Sequence, residues 1–171
     1  MAGNKYIKLD TATGQLTEQA AAQASAGAAD AGKIPALDGS GRLDSSMMPA
    51  GIGADTAIIT ASEALAAGDF VNVWNNSGGA KVRKADATTQ GKDAHGFVLA
   101  SVASGANATV YFEGPNTAVT GATPGPVFLA AAAGTATSIA PSGSGNVVQR
   151  IGVAVSATAI NFEGSQPVVL A

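Results

Sequence analysis

Three observations predict an all-β chain, with its strands gathered into a small β-sandwich or β-barrel. Beyond residue 55, short β-prone runs alternate with Gly, Pro, Asn and Ser clusters at close spacing. A unit of four such runs occurs twice. The composition is one of small residues: 38 of the 171 residues are Ala and 22 are Gly, over a third of the chain. Burying a large apolar side chain contributes about 1.5–3 kcal/mol and an Ala far less, so the core is thin for the length.

Taken from the N-terminus, Lys5-Tyr6-Ile7-Lys8-Leu9 is a β-prone stretch. Thr17–Ala24 is Ala-rich, and Thr17 can serve as an N-cap, so a short helix is expected there. That segment has no large apolar stripe, and an isolated helix of its length is marginal in water. From Ala31 to Gly53, Gly, Pro and Asp recur every few residues, which reads as extended chain and turns. Ile34, Leu37, Leu43, Met47 and Met48 are spaced along it as apolar anchors. Residues 1–55 are therefore expected to form an extended arm and linker, and residues 56–171 a β-domain.

In the β-domain the expected strands are Thr56–Ala61, Asp69–Asn75, Ala80–Ala85, His95–Val102, Thr109–Glu113, Val127–Ala130, Thr135–Ala140, Val147–Val155, Thr158–Phe162 and Val168–Leu170. Asn75-Asn76-Ser77-Gly78-Gly79 suits a hairpin loop, because Asn and Gly tolerate positive φ. Tyr111-Phe112-Glu113-Gly114 recurs as Asn161-Phe162-Glu163-Gly164. Gly96-Phe97-Val98 precedes the first copy and Gly152-Val153-Ala154 the second. Further back, Phe70-Val71-Asn72-Val73 parallels Val127-Phe128-Leu129-Ala130. Residues 67–114 and 124–164 thus form two copies of one four-stranded unit, and such a unit cannot bury its apolar face alone.

Charge is distributed unevenly. Of 9 basic and 12 acidic side chains, only Glu113, Arg150 and Glu163 lie beyond residue 93. A surface poor in long polar side chains costs little entropy to immobilise against another chain. The net charge of −3 argues against nucleic acid as a partner. The longest apolar run, Val127–Ala133, falls far short of the ~20 residues of a membrane helix. The first ten residues lack a signal-peptide h-region, so synthesis in the cytoplasm is expected.

The chain offers little to catalysis or metal binding. It has no Cys and a single His, which leaves no thiolate or multi-histidine metal site within one chain. His95 follows Asp93, but no Gly-x-Ser-x-Gly elbow in a strand–turn–helix setting accompanies it, and Ser142-Gly143-Ser144-Gly145 lacks the flanking helix. Asp38-Gly-Ser40-Gly-Arg42-Leu-Asp44 has the outline of a calcium loop, yet Arg42 stands where an oxygen ligand belongs and Pro49 where the bidentate Glu belongs. The repeated Glu113 and Glu163 form a pair of carboxylates, expected at a strand end or a subunit contact. Lys81, Arg83 and Lys84 read as a solvated strand face that deters edge pairing. Phe70, Trp74 and Tyr111 read as core. No cofactor, metal or catalytic residue is expected.

The segment Ala28–Pro49, with Gly32-Lys33-Ile34-Pro35-Ala36-Leu37-Asp38 and Gly41-Arg42-Leu43-Asp44-Ser45-Ser46-Met47-Met48-Pro49, resembles a module of tailed-bacteriophage virion proteins. Residues 65–114, with Ala67-Gly68-Asp69-Phe70-Val71 and Gly96-Phe97-Val98-Leu99-Ala100, are similar to small β-barrel capsid decoration (cement or head-fibre) proteins of such phages. The resemblance implies a virion structural protein on the capsid exterior. Its partners would be the major capsid protein and other copies of itself, a homotrimer or else a homodimer. On that reading Tyr6, Ile7, Leu9, Ile34, Leu37, Leu43, Met47 and Met48 are the expected capsid or subunit contacts. The alternative the resemblance leaves is a tail-fibre or receptor-binding module for host attachment.

Overall fold

A computed structural model describes residues 4–48 and 54–171. The Pro49–Gly53 end of the expected linker lies outside them. The chain divides into two compact units, Met1–Gly53 and Ala54–Ala171.

In the first unit β1 (Lys5–Asp10) pairs antiparallel with β2 (Gln15–Ala20), from Lys5 opposite Ala20 to Asp10 opposite Gln15. The expected helix over Thr17–Ala24 is therefore corrected: its first half is strand, its second half is irregular chain with a single bridge at Ala22, and the expected extended arm begins as a hairpin. The cause lies in the turn before it. Asp10 accepts the Ala12 N–H on Oδ1 and the Gly14 N–H on its carbonyl, and Gly14 adopts φ +71°. This reverses the chain and offers Gln15–Ala20 a ready ladder, while a short helix with no apolar stripe had only its own hydrogen bonds. Beyond the hairpin come a parallel bridge, Ala22 to Pro35, and two single 3₁₀ turns, Gly27–Asp30 and Ser45–Met47. Aspartates fasten these turns. Asp38 Oδ1 accepts from the Ser40 and Arg42 amides, Asp44 from Ser46, and Asp30 from Ala26. No described residue of this unit is buried.

The second unit is built from β3 (Thr56–Ala61), β4 (Phe70–Asn76), β5 (Gly79–Lys84), β6 (Gly96–Phe97), β7 (Asn107–Tyr111), β8 (Gly114–Asn116), β9 (Gly125–Leu129), β10 (Ala136–Thr137), β11 (Val147–Val148), β12 (Arg150–Ser156), β13 (Ala159–Phe162) and β14 (Val168–Val169). The first five close a barrel in the order β3-β5-β4-β6-β7. An open sheet follows in the order β10-β9-β12-β13-β8, and β11 pairs with β14 as a separate ribbon.

The repeat is visible in these orders. Opened between β3 and β5, the barrel reads β5-β4-β6-β7-β3, the same succession as β10-β9-β12-β13-β8. The repeating unit thus has five strands, not the expected four, because β3 and β8 belong to it. Register fixes the correspondence residue by residue. Val71 faces Gly96 as Val127 faces Gly152, and Phe97 faces Tyr111 as Val153 faces Asn161. The alignment of the first strands accordingly moves by one residue, with Val71, not Phe70, matching Val127. A repeated glycine has a repeated reason. A Cβ on Gly96 would strike the carbonyl of Tyr111, and one on Gly152 the carbonyl of the equivalent Asn161.

Two cores result. The barrel lumen holds Ala61, Leu65, Val71, Val82, Val98, Ala108 and Val110. A five-stranded barrel is narrow, so its interior is filled mostly by small side chains, Val and Ala above all. Alternation along the strands sends Phe70, Phe97 and Tyr111 outward. They meet Val127, Leu129, Ile151, Ile160 and Phe162 of the open sheet in the second core. Phe97 stacks on Tyr111 at 5.4 Å and meets Phe162 edge-on at 5.9 Å. A buried Gln149 bridges the two copies: its Oε1 accepts from the Ala94 amide, and its Nε2 donates to the Ala94 and Ser165 carbonyls.

Candidate functional site

The expected contact residues of the first unit fall into two groups. On the hairpin, Ile7 and Leu9 point to one face, where Leu16 joins them opposite Leu9. All three are exposed, at 62%, 56% and 74%. Tyr6 lies on the other face, half-buried, with a hydroxyl shielded from solvent and without a hydrogen-bond partner among the described residues. Leu16 was missed by sequence reasoning because it precedes the segment read as a helix; the Asp10–Gly14 turn was the signal that finds it. Along the turns, Ile34, Leu37, Leu43 and Met48 are exposed and Met47 is half-buried. Polar bonds to the backbone hold this stretch in place: Ala22 N–H to the Ile34 carbonyl, Gln23 Nε2 to the Leu37 carbonyl, and Ser25 N–H to Ser46 Oγ. The carboxyls of Asp10, Asp30, Asp38 and Asp44 are held below the ordinary value of 3.8. The main causes are the Ala12 amide, the Lys33 ammonium, the Arg42 amide and the Ser46 hydroxyl, respectively.

In the second unit His95, Arg83 and Lys84 are engaged with their neighbours. His95 Nδ1 accepts the Val73 N–H at 3.0 Å, which requires the Nε2–H tautomer, and Nε2 lies 2.9 Å from Asp93 Oδ2. Both ring nitrogens are occupied, so neither offers a lone pair to a nucleophile. Arg83 lies over the Trp74 ring at 4.6 Å and donates to Asn72 Oδ1 and the Gly91 carbonyl. Lys84 pairs with Asp69 at 3.2 Å. Of the aromatics, Phe70 is buried, whereas Trp74 and Tyr111 are half-buried on the barrel exterior.

Glu113 and Glu163 line one shallow depression, with Ala54 and Asn161. Each lies one residue beyond the Gly114–Phe162 pair at which the β8–β13 ladder ends, and both are exposed. No cluster of three metal-ligating side chains exists among the described residues, and none of their helices is long and apolar enough to cross a membrane. A cavity of about 360 Å³ opens beside β10. It is lined by Gly68–Phe70, Ala118–Thr123 and Gly134–Ser138, with Val127 and Ile160 at its floor.

Fold and surfaces define an all-β chain whose second unit is a closed barrel joined to an open sheet. Comparison with protein-family models, with curated proteins and with solved structures finds no match.

Proposed function

We propose that this chain is a virion structural protein that binds the outer surface of an assembled bacteriophage capsid and stabilises it by bridging capsomers. The observation that carries the reading is the character of the first unit. Among its described residues none is buried, while Ile7, Leu9, Leu16, Ile34, Leu37, Leu43 and Met48 are all exposed. A polypeptide of this size without core, disulfide or metal gains stability from a surface it lies on. The major capsid protein is the surface proposed. The few charges beyond residue 93 suit contacts between copies in the second unit, as a homotrimer at capsid three-fold positions. A protein that binds the shell and not its separated subunits stabilises the shell by linkage, with no bond made or broken.

The test is to mix the purified chain with emptied capsids and with dissociated capsomers of its phage. Saturable binding to capsids alone, at many copies per particle and with a raised capsid disruption temperature, is the expected result. A handful of copies per particle, or adsorption of the isolated chain to host cells instead, would favour the host-attachment reading and end this one.

A further inference from the structure

The repeat shows that the 360 Å³ cavity is the unclosed seam of a second barrel. By register, Thr56 and Ala57 of β3 correspond to Pro115 and Asn116 of β8, so Thr60 and Ala61 correspond to Val119 and Thr120. Likewise Lys81 and Val82 of β5 correspond to Thr135 and Ala136. In the first copy Thr60 and Ala61 pair parallel with Lys81 and Val82, and that pairing closes the barrel. In the second, the equivalent residues, Val119-Thr120 and Thr135-Ala136, line the two sides of the cavity without pairing.

Asn116 holds the seam open. Buried completely, it accepts the Ala118 N–H on Oδ1 and donates from Nδ2 to the Gly68 carbonyl at 2.9 Å, turning the chain away where β3 runs straight on. Gly68 makes room for that departure, since a Cβ there would strike the Ala118 carbonyl. As a result β10 pairs on one side only. Its edge is the one equivalent to Val82, whose carbonyl accepts from Ser62 just beyond β3. Leu129, opposite Ala136, directs its own N–H to Gln149, so the main-chain groups of Ala136 face the seam and not β9.

We propose that this seam is a β-strand acceptor site: it takes an uncharged extended segment of a partner protein, rich in small and β-branched residues, laid parallel to β10. The first copy supplies the template, because the strand it accepts there is Thr-Ala-Ile-Ile-Thr-Ala. The volume lies within the range of about 300–1,000 Å³ usual for recognition pockets. Main-chain hydrogen bonds would give affinity; the lining is small but for Phe70, Val127, Ile160 and the Asp69 carboxylate, which Lys84 already neutralises, so it would select against bulk and charge. The described strands of the first unit do not fit this chemistry, since β1 carries Lys5, Lys8 and Asp10, and β2 carries Glu18. The proposal rests on the repeat and stands apart from the capsid reading.

The experiment titrates the full chain, isotopically labelled, with the capped hexapeptide Thr-Ala-Ile-Ile-Thr-Ala, and with the same peptide carrying Lys in place of both Ile. Saturable amide shifts confined to residues 117–121 and 134–139, with the first peptide only, are expected. Ala136→Pro removes the N–H that faces the seam and should weaken binding at least tenfold. Ser138→Trp, at the exposed rim, should do the same and serves if the proline variant does not fold. The proposal is overturned if millimolar peptide gives no shifts, if the shifts fall elsewhere, or if a folded variant binds unchanged. Self-association without peptide that Ala136→Pro abolishes would hand the seam to a second copy of the chain and overturn it equally.

Discussion

The two units are held together by different physics. Among the described residues of the first unit order comes from outside the apolar side chains: aspartates accept backbone amides, glycines turn the chain, and a six-pair hairpin supplies a ladder. In Ala54–Ala171 order comes from inside, from a barrel lumen of Val and Ala and an aromatic layer between barrel and sheet. Ile and Leu are hidden at Leu65, Leu129, Ile151 and Ile160 of the second unit but displayed at Ile7, Leu9, Leu16 and Ile34 of the first, and the second unit itself displays Ile58 and Ile139. A side chain's role therefore follows from whether its neighbours close around it, and hydropathy alone does not assign it.

Mutation should expose that contrast most strongly in the aromatic layer. Phe97 is buried between Tyr111 and Phe162, so Phe97→Ala should lower the unfolding free energy of the second unit by about 3–5 kcal/mol, read by denaturant melts. A loss under 1 kcal/mol would mean that the layer between barrel and sheet contributes little. The repeat predicts a second, smaller pair of effects. Gly152→Ala should cost about 1–3 kcal/mol, because the new Cβ meets a neighbouring carbonyl and the residue sits at φ +139°. Gly96→Ala meets the equivalent carbonyl with no positive φ and should cost less. Equal costs would show that the strand-to-strand approach dominates in both copies.

Much of this was legible in the sequence, and the failures have particular causes. Thr56–Ala61 was read to the residue because alternation, β-branching and flanking turns agree there. Phe-Glu-Gly reveals the repeat because its Phe and Glu stand out from the small-residue background. Gly114–Asn116 was missed because Pro115 argues against a strand, and β8 tolerates it only as an edge of the open sheet. The run His95–Val102 reads as one strand, but only Gly96–Phe97 is one: Val98 still donates its N–H to the Asp69 carbonyl, the chain then bends at Leu99 and Ala100, and it pairs again only at the single Val102–Leu65 bridge. The open seam depends on the side chain of Asn116 bonding to Gly68, a contact across 48 residues that no local pattern carries.

At the displayed apolar face the expectation reverses. Leu9→Ser should change the denaturant midpoint of either unit by no more than the equivalent of about 0.5 kcal/mol, since the side chain is already exposed. Its effect belongs to the binding assay, where capsid affinity should fall several-fold. A large loss of stability would place Leu9 in a core instead.

The smallest effect, and the most specific to the first unit, is its response to acid. Asp10, Asp30, Asp38 and Asp44 titrate below 3.8 when folded, so the stabilisation they give is complete above that value and is lost as pH falls through their lowered values. In the second unit burial pushes Asp86 up, but Thr88, Lys92 and Thr89 outweigh it and leave it lowered as well. The barrel and its aromatic layer should remain when that carboxylate is protonated, whereas the turns of the first unit have no buried residue behind them among the described ones. As pH falls from 6 past 3.8 and on through those lowered values, the amides of Ala12, Ser40, Arg42 and Ser46 should therefore lose hydrogen-exchange protection while those of Val71, Val82 and Val110 keep theirs. Asp38→Asn should remove the acid dependence at Ser40 and Arg42 and leave it at Ser46, because each aspartate fastens its own turn. If protection fell in both units together, the division between a stapled unit and a packed one would not describe this chain.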